Sequence, residues 1–150
     1  MNISEVCTRV VVTAPSDLSV ADAAVLMRTH HVGNVIIVKE AAGTVIPLGI
    51  VTDRDIVVEV VAGKVDPSAV TVGEIMRQML VTVRETAGAY EALERMRYEG
   101  IRRMPVVDEN GALIGIVPLD DLLEIVAEEM DKMAKLISRE QLREERSRIQ

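Results

Sequence analysis

One stretch of the sequence occurs twice and decides the fold. Residues 3–39 read ISEVCTRVVVTAPSDLSVADAAVLMRTHHVGNVIIVK, and residues 72–108 read VGEIMRQMLVTVRETAGAYEALERMRYEGIRRMPVVD. The two stretches align without a gap at an offset of 69 residues, and after three extra residues in the first copy the offset becomes 66. An internal repeat of this kind means that one structural unit of about 60 residues is present in two copies.

Each copy predicts the same order of elements: strand, helix, strand, strand, helix. Runs of β-branched residues indicate the strands, and apolar residues at helical spacing indicate the helices. In the first copy the predicted elements are Val10–Thr13, Val20–His31, Val35–Val38, Val45–Val51 and Asp53–Ala62. In the second copy they are Leu80–Val83, Ala89–Glu99, Met104–Val107, Leu113–Val117 and a helix from Leu119 onward.

These elements predict an α/β (α+β) fold that contains two repeated β-α-β-β-α units. A unit of about 60 residues buries too little apolar surface to be secure alone. We therefore expect the two units to pack sheet to sheet with pseudo-twofold symmetry. The predicted domains are residues 1–64 and residues 65–127, followed by a charged C-terminal helical tail at residues 128–150.

The tail carries an apolar stripe typical of a helix that packs along its length. Apolar residues alternate four and three apart at Leu119, Leu123, Val126, Met130, Met133 and Ile137, as in a coiled coil. Residues 128–150 also hold six acidic and six basic side chains, which favours a solvated, salt-bridged helix or a frayed end. The stripe either packs on its own domain or makes an intermolecular helical contact.

The composition excludes several classes of function. Of the 150 residues, 24 are Asp or Glu and 17 are Lys or Arg, so the formal net charge is −7, and the aromatic residues are Tyr90 and Tyr98. Nucleic-acid binding relies on concentrated basic residues and aromatic platforms, and we expect none here. The longest stretch without Asp, Glu, Lys or Arg, Ala41–Thr52, is too short to cross a bilayer. Together with a single cysteine, Cys7, these features predict a soluble cytoplasmic protein without membrane contact.

The most informative motif is Gly49–Asp55, in which a predicted strand ends and a helix begins. Thr52 and Asp55 have the spacing of a capping box, so one interpretation is helix capping alone. The other is ligand binding, because a helix N-terminus favours phosphate. In that case the hydroxyl donates to a phosphate oxygen, and the carboxylate one turn later accepts both hydroxyls of a ribose.

The repeated motifs make the family resemblance specific. The first copy contains Val32–Val38 and Gly49–Asp55, and the second contains Ile101–Asp108 and Gly115–Asp121. In order and spacing, each pair resembles the cystathionine-β-synthase (CBS) domain, and the resemblance covers residues 3 to about 127. It implies a tandem pair, called a Bateman module, in a stand-alone CBS-domain protein.

The resemblance also implies the ligand class and the partners. CBS pairs typically bind adenosine-containing ligands in clefts between the paired domains and associate as disc-like dimers. We therefore expect AMP, ADP or ATP as the ligand, with S-adenosylmethionine or NAD less favoured, and no tightly bound cofactor. The expected partners are a second copy in a homodimer and a protein target that the sequence does not identify.

By the same resemblance, the site residues are assigned in the first copy. Thr52 and Asp55 match the family's ribose-phosphate motif in full. The base is then expected to lie against two segments, Thr13-Ala14-Pro15 and Asn34-Val35-Ile36.

The second copy departs from the motif. Pro118 replaces the hydroxyl residue while Asp121 is kept, and proline has neither an N–H nor a hydroxyl for phosphate. We expect a weaker second site, empty or specific for a nucleoside. Arg102 and Arg103 either form a solvated basic pair or, by resemblance, reach across to the phosphate of the first site. Arg54 is a further phosphate candidate, with simple exposure as the alternative.

These assignments predict a regulatory module that senses an adenine nucleotide between its repeats and signals through a conformational change. The alternative is a ligand-free scaffold for dimerisation and protein interaction. We do not expect an enzyme, because the sequence has no P-loop, metal-ligand cluster or activated nucleophile. His30 and His31 are adjacent and point in different directions, which is a poor metal arrangement.

Overall fold

A computed structural model describes residues 2–77 and 79–148. The first copy contains β1 (Thr13–Ala14), α1 (Val20–His30), β2 (Asn34–Ala41), β3 (Thr44–Thr52) and α2 (Asp53–Asp55), which continues as a π-helical segment (Ile56–Val61). The second contains α3 (Val72–Ile75), β4 (Val83–Arg84), α4 (Ala89–Glu99), β5 (Arg103–Val107), β6 (Leu113–Pro118) and α5 (Leu119–Arg148). A 3-10 turn (Ile3–Glu5) precedes β1. The predicted order of two β-α-β-β-α units is confirmed.

Each copy forms one three-stranded sheet of the same topology. The strand orders are β1-β2-β3 and β4-β5-β6, and in each sheet the first pair is parallel and the second antiparallel. A register shift lies between Ile37 and Val38 in β2 and between the aligned Val106 and Val107 in β5. The two sheets contact each other through β3 and β6. The two copies therefore share the strand pairing and the position of the register shift as well as the sequence pattern.

Several predicted boundaries differ from the structure. The first strand of each copy is shorter than predicted, because its ladder with the next strand spans only two residues. The helix α1 ends at His30, since His31 adopts a left-handed backbone with φ of 54°. The predicted helix Asp53–Ala62 forms only one α-helical turn, after which Ile56–Val61 is π-helical.

The segment that begins each copy packs into the core of the other copy. Ile3, in the first copy by sequence, is fully buried in the core of the second with Met104 and Leu122. Val72, in the second copy by sequence, is buried in the core of the first with Val35. Backbone hydrogen bonds join Ile3 N to Ala87 O at 2.9 Å and Val72 N to Leu18 O at 2.8 Å. Each core is thus completed by a segment from the other repeat.

A glycine lets each exchanged segment approach the neighbouring sheet. A Cβ on Gly115 of β6 would lie 2.7 Å from the Thr8 carbonyl oxygen and 3.0 Å from Cys7 Sγ. The aligned Gly49 of β3 meets the other exchanged segment, and a Cβ there would lie 2.7 Å from Met76 Sδ. A larger residue at Gly115 must push the segment away, whereas at Gly49 the flexible Met76 side chain can move instead.

We expect Gly115→Ala to lower the free energy of unfolding by about 1–3 kcal/mol, the usual range for forced overpacking. The Thr8 carbonyl oxygen cannot turn aside as a side chain could, since Thr8 and Ile116 are held together by two backbone hydrogen bonds of 2.9 and 3.0 Å. Urea unfolding measures the change. Gly88→Ala is the control, because a methyl group added at Gly88 would have nothing within 4 Å. Equal effects of both variants would contradict the close approach.

The helix α5 runs without a break across the predicted boundary at residue 127. Its first turns are anchored by Leu122, which is fully buried, while Met130, Met133, Leu136 and Ile137 are exposed. The apolar stripe therefore does not pack on its own domain beyond the first turns. The last two residues of the predicted tail, 149–150, lie outside the described residues.

Ion pairs along the exposed part of α5 follow helical spacing. Lys132 Nζ donates to Glu129 Oε1 at 2.6 Å, and this hydrogen bond lowers the pKa of the Glu129 carboxyl below its ordinary value. Arg97 and Glu94 make a similar pair within α4, at 2.8 Å. The prediction of a solvated, salt-bridged helix thus holds for the part of the tail that the structure describes.

Within residues 2–77 and 79–148, no helix combines the length and the apolar character needed to span a membrane.

Candidate ligand cleft between the repeats

A cleft of about 460 Å³ lies between the two copies. The first copy contributes the end of β3 and all of α2, and the second contributes the approach to β4 and the start of β5. Its lining residues are Ile50, Thr52, Asp53, Arg54, Asp55, Arg77, Met79, Leu80, Val81, Glu99, Gly100, Ile101, Arg102, Arg103 and Pro105. A ligand here would touch both repeats at once.

Strand alternation explains why these side chains face the cleft. In β3, Val51 is fully buried in the first core, so its neighbours Ile50 and Thr52 point to the opposite side. In β5, Met104 is fully buried in the second core, so Arg103 and Pro105 point away from that core. Each strand therefore lines the cleft with the side chains that point away from its own core.

Thr52 and Asp55 form a capping box at the cleft wall. Asp55 Oδ2 accepts hydrogen bonds of 2.9 Å from both Thr52 N and Thr52 Oγ1, while Asp55 N donates to Thr52 Oγ1 at 3.2 Å. Asp55 Oδ1 accepts no hydrogen bond from the described residues, and its nearest cation among them is Arg77 Nε at 3.9 Å. The side chain is 13% exposed. Capping thus occupies one carboxylate oxygen and leaves the other open to the cleft.

The cleft is rich in arginine although the protein is acidic. Four arginines line it, one from the first copy and three from the second: Arg54, Arg77, Arg102 and Arg103. They stand with three carboxylates in a chain whose formal net charge is −7. Arg102 pairs loosely with Asp120 at 3.5 Å, and both side chains are exposed, so this pair is weak. The local excess of cations favours an anionic ligand.

The wall opposite α2 is apolar. Met79, Leu80 and Val81 lie on the approach to β4, and Met79 is 89% exposed. Ile101 and Pro105 also contribute apolar side chains to the cleft. A flat apolar group placed against Met79 would cover a side chain that now faces solvent.

The structure brings five of the predicted site residues to this one cleft: Thr52, Arg54, Asp55, Arg102 and Arg103. Asp121 does not line the cleft. Neither do the two segments predicted to hold the base, Thr13-Ala14-Pro15 and Asn34-Val35-Ile36. Ala14 and Val35 are buried in the core of the first copy, and Ile36, on the opposite side of β2 from Val35, is also fully buried. Asp121 lies in the first turn of α5.

The physical reason is that the cleft takes its second wall from the other copy. At the offset of 69 residues, Met79–Val81 correspond to Val10–Val12, and Arg103 corresponds to Asn34. By the same symmetry, Val10–Val12 and Asn34 correspond to a wall for the second motif, Pro118–Asp121. Thr13–Pro15 correspond to Thr82–Arg84, which do not line the cleft. The alignment of the repeats shows which segments of the two copies correspond. It does not show that the motif of one copy faces a wall from the other copy.

Arg77 and the Met79–Val81 segment line the cleft but are not among the residues that the sequence predicted. Arg77 aligns with Thr8, and neither residue belongs to a recognisable motif. Arg77 reaches the cleft because the exchanged segment of the second copy runs beside Gly49, where a Cβ would lie 3.3 Å from the Arg77 carbonyl oxygen. An apolar residue at both of the aligned positions, Val10 and Met79, is the one signal in the sequence that could have drawn attention to this segment.

Over the part of the chain that the structure describes, no group of three or more His, Cys, Asp or Glu side chains is arranged to hold a metal ion.

Comparison with known proteins identifies the family. Residues 3–62 and 72–128 match the family model of the CBS domain. The protein therefore belongs to the CBS-domain family and carries the domain as a tandem pair. An uncharacterised protein of Methanopyrus kandleri is 39% identical over 139 residues, which span 88% of this chain and 69% of the relative. A CBS domain-containing protein of Bacillus subtilis is 33% identical over 121 residues, which span 81% of this chain and 82% of the relative.

Solved structures share the fold. A CBS domain protein from Pyrobaculum aerophilum, complexed with AMP, superposes with a TM-score of 0.74 at 27% identity, covering 85% of this chain and 99% of that one. A CBS domain pair in complex with 5′-methylthioadenosine and S-adenosyl-L-methionine has a TM-score of 0.74 at 25% identity, covering 86% of this chain and 98% of that one.

Proposed function

We propose that this tandem CBS pair is a regulatory module that binds an adenine nucleotide in the cleft between its repeats. The observation that carries the proposal is the convergence of three chemistries on one cleft. An open carboxylate oxygen of Asp55, four arginines and an exposed apolar segment all line it. The adenosine ligands of two related solved structures support the choice of ligand class.

The cleft offers a matching group for each part of a nucleotide. Asp55 Oδ1 accepts from the ribose hydroxyls, a charge-assisted hydrogen bond to a partly buried carboxylate. The phosphate faces the guanidinium of Arg103, which suits bidentate contact. The adenine covers Met79 and Ile101 on the apolar wall, where burial of their exposed surface stabilises the complex. The excess of arginine favours AMP, ADP or ATP over the cationic S-adenosylmethionine.

The regulatory effect follows from the position of the cleft. A ligand that contacts α2 of the first copy and β5 of the second stabilises one relative arrangement of the two repeats. That arrangement is transmitted to a protein target, which binds this form more tightly. No catalytic step is required, and ligand should be recovered unchanged after prolonged incubation.

The second motif forms a weaker site. Pro118 ends β6 without an N–H or a hydroxyl for phosphate, while Asp121 retains its carboxylate. Asn34 stands where the first site has Arg103. This position would accept a nucleoside or remain empty.

Isothermal titration with AMP, ADP, ATP, S-adenosylmethionine and NAD tests the proposal. We expect binding of the adenine nucleotides to the unaltered protein and at least a tenfold loss of affinity in Asp55→Ala. The expected size follows because hydrogen bonds to charged groups are worth about 1.5–3 kcal/mol each, and about 1.4 kcal/mol is tenfold in affinity.

The control is Glu74→Ala, which removes a second capping box of the same design. Thr71 N and Thr71 Oγ1 both donate to Glu74 Oε2, at 2.8 and 3.2 Å, but Glu74 does not line the cleft. Glu74→Ala should leave affinity unchanged. No heat for any of the five ligands at millimolar concentration, or equal losses in the two variants, would reject nucleotide binding through Asp55.

A second candidate function is an interaction scaffold with empty clefts. The observation that favours it is the exposed apolar side of α5, which includes Met130, Met133 and Ile137. Removing residues 128–150 separates the two functions, because a sensor retains ligand binding without them and a scaffold loses its partner.

A further inference from the structure

We infer that the projecting part of α5 pairs with the same helix of a second copy of this chain, in antiparallel orientation, through Val126, Met130, Met133 and Ile137. The contact is separate from the nucleotide cleft and does not depend on ligand binding.

The first step is that this side of the helix lacks a partner within the described residues. Met130, Met133 and Ile137 are 65%, 64% and 58% exposed, whereas Leu122, one turn before Val126, is fully buried against the second core. Spacings of four and three residues place the exposed side chains in one stripe along the helix. An apolar stripe of this length leaves its side chains exposed to water, which is unfavourable, unless another helix covers it.

The second step is that the stripe is complementary to itself when the helices run in opposite directions. If Met130 lies level with Met133 of the second copy, then Val126 lies level with Ile137 of the second copy. Because the two helices are related by a twofold axis, each of these two layers occurs twice. The pair therefore has four consecutive apolar layers. Glu140, the next residue in the stripe, falls beyond the last of these layers.

The third step is that charge selects the antiparallel orientation. Residues 124–131 contain four acidic and no basic side chains, whereas residues 132–139 contain three basic and no acidic ones. In the antiparallel pair the acidic stretch of each helix lies level with the basic stretch of the other. A parallel pair would instead place like charges side by side, with Glu140 level with Glu140 just beyond the last apolar layer. Complementary charge fixes the relative direction of two surfaces more than it adds affinity, so it decides between these orientations.

Disulfide trapping in the full chain tests the inference. In a Cys7→Ser background, the double variant Val126→Cys/Ile137→Cys should form a covalent dimer under mild oxidation, read by non-reducing gel electrophoresis. Each single variant should not, because antiparallel helices separate identical positions at either site by about 16 Å along the axis. A disulfide needs Cα atoms within about 7 Å.

A matched control uses the opposite side of the helix. Glu128→Cys/Lys135→Cys lies on matching levels but faces away from the stripe, and it should not cross-link. Adding Met133→Glu to the cross-linking variant should abolish the covalent dimer, since Met133 is exposed in the single chain and its change leaves the fold intact. Covalent dimer from either single variant, no dimer from the double variant, or a dimer that survives Met133→Glu would each overturn the inference.

Discussion

Replacing Ile3 by alanine is expected to lower the free energy of unfolding by about 2–5 kcal/mol, the range for truncating a buried isoleucine. Residues this close to a terminus usually contribute little. Ile3 is different because it is fully buried among side chains of the second copy, including Val83, Met96 and Leu122. Its backbone N–H also donates to the Ala87 carbonyl at 2.9 Å.

Urea or thermal unfolding measures this loss, and Val10→Ala is the control. Val10 is also an apolar residue near the N-terminus, but it is 88% exposed, so its truncation should change stability by less than about 0.5 kcal/mol. Ile3→Ala should leave the cleft side chains in place, although the second copy unfolds more readily. If both variants behave alike, the exchange of segments between the cores is wrong.

Replacing Arg103 by methionine is expected to weaken the binding of AMP tenfold or more while adenosine affinity stays within twofold. Arg103 begins β5 and faces the cleft, because the next residue, Met104, points into the second core. A guanidinium that binds phosphate contributes about 1.5–3 kcal/mol, and adenosine has no phosphate to lose. Methionine keeps much of the length of the side chain and removes its charge.

Titration of AMP and adenosine into each variant measures the difference, with Arg97→Met as the control. Arg97 is an exposed arginine that pairs with Glu94 within α4 and does not line the cleft. Its replacement should change neither affinity. A parallel loss of both ligands in Arg103→Met would mean that Arg103 acts on the apolar wall or on the fold, and not on phosphate.

The parts of the structure that the sequence predicted are those governed by local patterning. The repeat predicted two units, the β-branched runs predicted the strand order, and the spacing of Thr52 and Asp55 predicted the capping box that the structure contains. Arg103 lies in the same cleft as the first motif, and its contact with a phosphate stays a prediction. Nucleotide binding by these residues is the proposal that the titrations test.

The predictions that differ from the structure depend on how the copies meet. The residues assigned to the base, Thr13–Pro15 and Asn34–Ile36, are not among the residues that line the cleft at Thr52, although Asn34 pairs with Thr52 between β2 and β3. The wall at that cleft comes from Met79–Val81 of the other copy. No local pattern distinguishes these two arrangements, because long-range packing decides which copy supplies the wall opposite a given motif.

The sequence by itself determined the duplicated fold and the chemistry available at Thr52 and Asp55, since short-range periodicity and helix-cap spacing act within a few residues of the chain. Only the tertiary structure decided which copy supplies the second wall of the cleft, where Arg77 lies and which side of α5 stays uncovered. Those outcomes depend on long-range packing, in which Ile3 and Val72 each complete the core of the other repeat. Burial of apolar surface between the two copies favours that exchange, and it is not encoded in any single stretch of the chain.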